Sequence, residues 1–153
     1  MIEEKYDSEA DTLAHIQRVQ QLSAEFSEIL RCQVETHDCS KLHPPEKIIF
    51  DEFTPKLKEL TYGSDEYKAC LSAMKPALMN HYAINSHHPE FYKNGVDGMD
   101  LMDLVEMFCD WKAATERHVD GSLENSIGIN AKRFELSPQL EMIFRNTKYQ
   151  LNW

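Results

Sequence analysis

The stretch SEADTLAHIQRVQQLSAEFSEILRCQV, from Ser8 to Val34, decides how the rest of the chain is read. Its residues Leu13, Ile16, Val19, Leu22, Phe26, Ile29 and Leu30 recur at helical intervals of three and four and never alternate, so they fall on one face of a helix. Ser8 stands where an N-cap is needed. The expectation is a long first helix over Ser8–Val34 with its broad apolar stripe facing inward. His15 shares that stripe, four residues before Val19, seven before Leu22 and eleven before Phe26, so its imidazole is expected to point to the interior.

The same period continues downstream. With only five glycines and six prolines in 153 residues, the chain reads as all-α, a single-domain bundle of about six to seven helices covering residues 1–153. A helical turn over Thr36–Leu42 ends at Pro44-Pro45, and a helix over Glu46–Leu60 is interrupted or ended near Pro55. Tyr62-Gly63-Ser64 makes a turn, and Ser64 caps a helix running to about Ala83, kinked at Pro76. Asn85–Gly98, with Pro89, Gly95 and Gly98, reads as a loop of functional length. Helices follow over Met99–His118, closed by Asp120-Gly121, over Asn125–Phe134, and over Pro138 to about Leu151 with Ser137 as N-cap.

Composition narrows the function classes. Sixteen Lys and Arg against 26 Asp and Glu give a formal charge of −10, a poor footprint for broad binding of nucleic acid or anionic lipid. No segment approaches the roughly 20 apolar residues that span a bilayer, and the opening Met-Ile-Glu-Glu-Lys lacks an apolar signal core, so a cytoplasmic protein is expected. Cys32, Cys39, Cys70 and Cys109 form neither a CxxC pair nor a zinc-finger spacing and read as small core or boundary residues with reduced thiols.

Seven histidines among surplus acids are the chemically pointed feature. Asn80-His81-Tyr82-Ala83-Ile84-Asn85-Ser86-His87-His88-Pro89-Glu90 gathers three imidazoles and a carboxylate in a short span, a metal locus by density; the alternative is a solvated polar loop. His37-Asp38 is a pair that arises readily by chance and takes its weight from context. On the Met99–His118 helix, Asp103, Glu106, Asp110 and Arg117 share one face. Such a face is ordinarily the solvated one, but Met102, Val105, Phe108, Cys109 and Trp111 occupy much of the remaining circumference, which allows the acidic stripe to line a polar cleft.

The order His15, His37-Asp38, His81, His87-His88, Asp110 in a small helical chain resembles the HD-domain metallohydrolase superfamily. The likeness covers about Asp11 to His118, and the wider sequence is similar to a small HD-like family of bacteria and phages. His37-Asp38-Cys39-Ser40-Lys41 resembles the HDxGK motif of the two-metal branch, with Ser40 in place of the glycine. His87-His88-Pro89-Glu90 followed by Gly95 is similar to the HHE and glycine stretch of cyclic-dinucleotide phosphodiesterases. No GYP triplet follows, and His81 lies only six residues before His87, so that substrate specificity is not carried over.

The resemblance implies that His15, His37, Asp38 and Asp110 hold one ion, and that His81 with His87 and His88 holds a second bridged by Asp38. One or two ions of Mn, Fe, Co, Ni or Zn suit such donors better than Mg. Two ions about 3.5–4 Å apart would clamp the oxygens of a phosphoryl displacement, with a metal-activated water as nucleophile. Lys41, one turn after His37, and Arg117, two turns after Asp110, are the candidate cations for substrate phosphate. Glu106, a turn before Asp110, is the candidate to orient a ligand histidine or take a proton, ahead of Asp103.

The expected activity is hydrolysis of a small phosphorylated metabolite, a nucleotide first among the candidates. Di-iron oxygenation of a small polyol or phosphonate is the rival within the superfamily, and a non-catalytic interaction protein the rival outside enzymes. Whether the chain forms a homo-oligomer is open at this stage.

Overall fold

The architecture of this computed structural model, which describes residues 6–60, 64–117 and 121–153, is all-helical, with no strand among them. Its α-helices are α1 (Glu9–Val34), α2 (Glu46–Glu59), α3 (Asp65–Ala73), α4 (Lys75–Ile84), α5 (Leu101–Thr115), α6 (Leu123–Arg133) and α7 (Pro138–Leu151). Short 3₁₀ turns lie at Cys39–Leu42, Pro89–Phe91 and Gly95–Gly98. No helix among the described residues is long and apolar enough to cross a membrane.

Capping chemistry explains where the helices begin. The Ser64 hydroxyl accepts from the Tyr67 amide, Ser122 from Asn125 and Ser137 from Leu140, each satisfying one of the unpaired donors of a first turn. Asp100 and Asp103 form a reciprocal capping box that starts α5 two residues later than apolar periodicity suggests. Tyr62 and Gly63 of the expected turn, and the expected His118 end of the α5 segment with Asp120 beyond it, lie outside the described residues. The helix itself stops at Thr115.

Two proline expectations are corrected. Pro55 lies within α2 without ending it, because on an exposed face the missing N–H forfeits one hydrogen bond and water serves the orphaned carbonyl. Pro76 does more than kink a single helix. The run divides at Met74 into α3 and α4, and Pro76 occupies the first turn of α4, where its absent N–H has no intrahelical partner to lose.

By packing, the chain groups into two compact units, Met1–Thr36 and His37–Trp153. In the first, α1 is held by its own backbone ladder and by surface pairs such as Arg31 with Glu28, at 2.8 Å, and with Glu35. None of its residues is buried. The stripe expected to face inward has Leu13 at 57%, Leu22 at 47% and Phe26 at 36% exposure, since a helix taken alone has no second layer to cover it.

In the second unit, α5 packs on α6 and α6 on α7, while α2 packs on α3 and α4. Met107, Phe108, Trp111, Leu123, Ile127 and Phe144 form the apolar core. Phe108 stacks on Phe144 with ring centroids 5.2 Å apart, and Trp111 meets the same ring edge-on at 5.4 Å. Cys70 is buried and Cys39 half-buried, but Cys32 and Cys109 are exposed, the first on α1 and the second on the outward side of α5. All four are free thiols.

Candidate metal centre

The His-Asp pair enters through a backbone irregularity. Asp38 has φ of 57°, a left-handed conformation that asparagine and aspartate tolerate better than other side chains with a Cβ. It leads into the Cys39–Leu42 turn without spending its carboxylate as a cap. Oδ2 accepts from Lys41 Nζ at 2.6 Å, while Oδ1 faces His81 Nε2 at 3.0 Å and His87 Nε2 at 3.6 Å. Burial pushes the Asp38 carboxyl up, but His81, Lys41 and His37 together hold it well below the usual carboxylate range, so it is ionised.

His81, on α4, is fully buried, and so is the carboxylate behind it, Glu46 at the start of α2. Glu46 accepts from the Ser40 hydroxyl at 2.9 Å, from Asn80 Nδ2 at 2.8 Å and from His81 Nδ1 at 3.0 Å. Ser40 thus has the task of holding Glu46. In the tautomer whose Nδ1 donates to Glu46, Nε2 of His81 keeps its lone pair. That lone pair meets His88 Nε2 at 2.9 Å and Asp38 Oδ1 at 3.0 Å. Burial, with His87 and His81 beside it, pushes His88 down to about 3, so this imidazole is neutral at physiological pH.

His87 follows the same logic. Its Nδ1 lies 3.2 Å from Glu106 Oε1, which leaves Nε2 as an acceptor. Asp38 Oδ1 and His87 Nε2 are buried, and neither has a hydrogen-bond partner. Two converging acceptors of that kind each carry a desolvation cost of roughly 1–3 kcal/mol unless a cation sits between them. Donors at right angles around an ion ~2.1 Å away stand roughly 3 Å apart, close to the His81, His88 and Asp38 spacings. Ligating atoms of Asp38, His81, His87 and His88 all lie within 4.8 Å of one another.

A second group adjoins the first through Asp38. His37 Nε2 stands 3.5 Å from Asp38 Oδ2 and 3.7 Å from Asp110 Oδ1, and these three residues likewise gather within 4.8 Å. Asp110 and Glu106 hold the His37 imidazolium, pushing its pKa up to about 10. Burial and the Asp38 charge push Asp110 up, but His37 holds its carboxyl below the ordinary value. Around these histidines stand the carboxylates of Asp38, Glu46, Glu106 and Asp110 against the Lys41 ammonium and the His37 imidazolium, an excess of negative charge that divalent ions would offset.

Residues 4–150, nearly the whole chain, match a family described as being of unknown function, DUF5662. The chain belongs to DUF5662. No curated protein and no solved structure matches it.

In this DUF5662 protein, His37, Asp38, His81, His87, His88 and Asp110 come together from the turn after α1, from α4, from the loop following it and from α5. All belong to the second unit. His15 is in the first, exposed on α1. Arg117 lies beyond the end of α5 and is exposed, so helical spacing from Asp110 no longer sets its direction. Lys41 is paired with Asp38 and sits 5.3 Å from the centroid of the Phe50 ring.

The acidic face of α5 is turned inward, with Asp103 and Glu106 buried. Asp103 accepts from Ser86 at 2.6 Å and from the Tyr92 hydroxyl at 2.5 Å, pinning the loop that carries His87 and His88. Gly98 permits this, because a Cβ there would come within 2.7 Å of Tyr92 Cβ. Glu90, beyond the His-His pair, takes a 2.6 Å ion pair from Arg133 of α6.

Glu46 escaped the sequence reading. A carboxylate opening a helix after Pro44-Pro45 reads as a charge complementing the helix dipole. Only the tertiary placement of Ser40, Asn80 and His81 gives it partners. The asparagine before His81 was the available hint, since Asn80 is one of the Glu46 donors.

Proposed function

We propose that this chain is a metal-dependent phosphohydrolase of the HD-like kind, acting on a small phosphorylated metabolite, with nucleotides the leading substrate class. The observation that carries the reading is the pair of buried, unpartnered acceptors, Asp38 Oδ1 and His87 Nε2, facing each other at 3.6 Å beside Nε2 of His81 and of His88. Those four residues would hold one ion, and His37, Asp38 Oδ2 and Asp110 another. A mixed imidazole and carboxylate set suits Mn, Fe, Co, Ni or Zn. Ions bound there supply Lewis acidity to a phosphoryl oxygen and bring the pKa of water toward about 7.

The protein's own groups prepare that chemistry. Glu46 holds His81 with its Nε2 lone pair facing the site, and the ionised Asp38 presents one oxygen to each group. Lys41 shares Asp38 Oδ2 and is partly exposed, so its remaining N–H donors are available to a substrate phosphate. The Ser86 and Tyr92 bonds to Asp103 hold the His87-His88 segment in register, which keeps the donor set ordered before substrate arrives.

The test is elemental analysis of purified protein as ions per chain, followed by a screen of nucleotides and simple phosphate esters with Mn²⁺, Co²⁺ and Fe²⁺. Metal retention and phosphate release are expected, and Asp38→Ala is expected to lose both. Protein that binds none of these ions would overturn the reading. Iron-dependent O₂ consumption without phosphate release would replace it with oxygenase chemistry.

A further inference from the structure

Glu106 meets the Nδ1 atoms of two imidazoles with one oxygen, on the side of each ring away from Asp38. Its Oε1 lies 2.8 Å from His37 Nδ1 and 3.2 Å from His87 Nδ1. His37 belongs to the group with Asp110, and His87 to the group with His81 and His88. The two rings lie close, with centroids 4.4 Å apart and planes tilted by 40°. Glu46 is the contrast, since of these histidines it touches His81 alone, in one group.

We propose that Glu106 is a positioning residue for both groups at once, and that through this single oxygen it couples their occupancy by metal. The inference rests on the two-ion reading above. An imidazole can turn over about its bond to Cβ and exchange the positions of its nitrogens and carbons. An acceptor at Nδ1 stops that rotation and fixes the tautomer that leaves Nε2 for metal. Glu106 does this for one histidine of each group, so each imidazole that it locks keeps the carboxylate in place for the other. Its place on α5 one turn before Asp110 makes the arrangement rigid, because a single helix supplies a donor of one group and the support of both.

The experiment titrates the metal-free full chain with Mn²⁺ alone, counting ions per chain and measuring each affinity against a competing chelator. Wild type, Glu106→Gln and Glu46→Gln are compared, with helical content checked by circular dichroism. Wild type is expected to take two ions. Loss of the Glu106 charge is expected to weaken both, by about 10- to 100-fold each, whereas Glu46→Gln weakens one. Nitrogen-15 imidazole NMR of the metal-free protein adds a readout that a merely structural role would not move: both the His37 and the His87 Nδ1–H signals shift in Glu106→Gln.

Should Glu106→Gln fail to fold, Glu106→Asp keeps the charge and withdraws the oxygen by one methylene, with both affinities again expected to fall. Wild type that binds no ion overturns the metal reading and this inference with it. Wild type that binds a single ion, or two ions of which a Glu106 variant weakens one or neither, overturns the coupling and leaves a metal centre standing.

Discussion

Helix α1 overturns the expectation attached to its apolar stripe, and α5 departs from the ordinary rule that an acidic face is the solvated one. The first carries an uninterrupted apolar stripe and buries nothing over 26 residues; the second carries an acidic stripe and buries Asp103 and Glu106 along with Met107, Phe108 and Trp111. Periodicity says which residues share a face, and a packed neighbour decides whether that face is dry. An apolar stripe alone is a request for a partner. A buried acidic stripe is costly unless donors or cations meet it, so it points to chemistry more directly than any hydrophobic pattern.

The largest stability effect that would break this contrast lies in α5. Phe108→Ala removes a ring stacked between Phe144 and Trp153, and is expected to destabilise the protein by about 3–5 kcal/mol in urea unfolding. A loss below about 1 kcal/mol would mean that the apolar side of α5 is not the core of the second unit.

A smaller effect sharpens the reading of the acidic side. Tyr92→Phe deletes one of the hydroxyl donors to buried Asp103 while keeping the ring, with an expected cost of about 1–3 kcal/mol. It should also raise amide exchange in the loop around His87 and His88. Unchanged exchange there would show that Asp103 caps α5 without ordering the metal-ligating segment.

Much of this was readable before any coordinates. The all-helical class follows from spacing, and α7 begins at its expected start because Ser137 is a recognisable N-cap residue, whereas α1 begins one residue after its expected start and the Ser8 side chain makes no cap bond. Six of the seven proposed ligands gather in the second unit, where the His-Asp pair, the histidine-dense segment and Asp110 fold beside one another. What escaped depended on distant partners. Glu46 acquires its meaning from His81, 35 residues away, and the dual duty of Glu106 from His37 and His87, which no periodicity relates to it. The division at Met74 and the run through Pro55 turned on whether one missing N–H fell in a first turn or on a wet face.

The smallest predicted effect is on α1 and tests the other half of the contrast. Leu22 is 47% exposed at the middle of the stripe, and alanine has at least as high a helix propensity, so Leu22→Ala should change unfolding free energy by no more than about 0.5 kcal/mol. The same substitution at a covered position would cost about 2–5 kcal/mol. The gap between these values is wide enough for a single urea titration to decide. A cost in the upper range would mean that the stripe is covered in solution, and repeating the titration over a hundredfold span of protein concentration would then show whether a second copy covers it. A cost near zero would leave α1 with its apolar stripe exposed, as the sharpest opposite of the buried acids on α5.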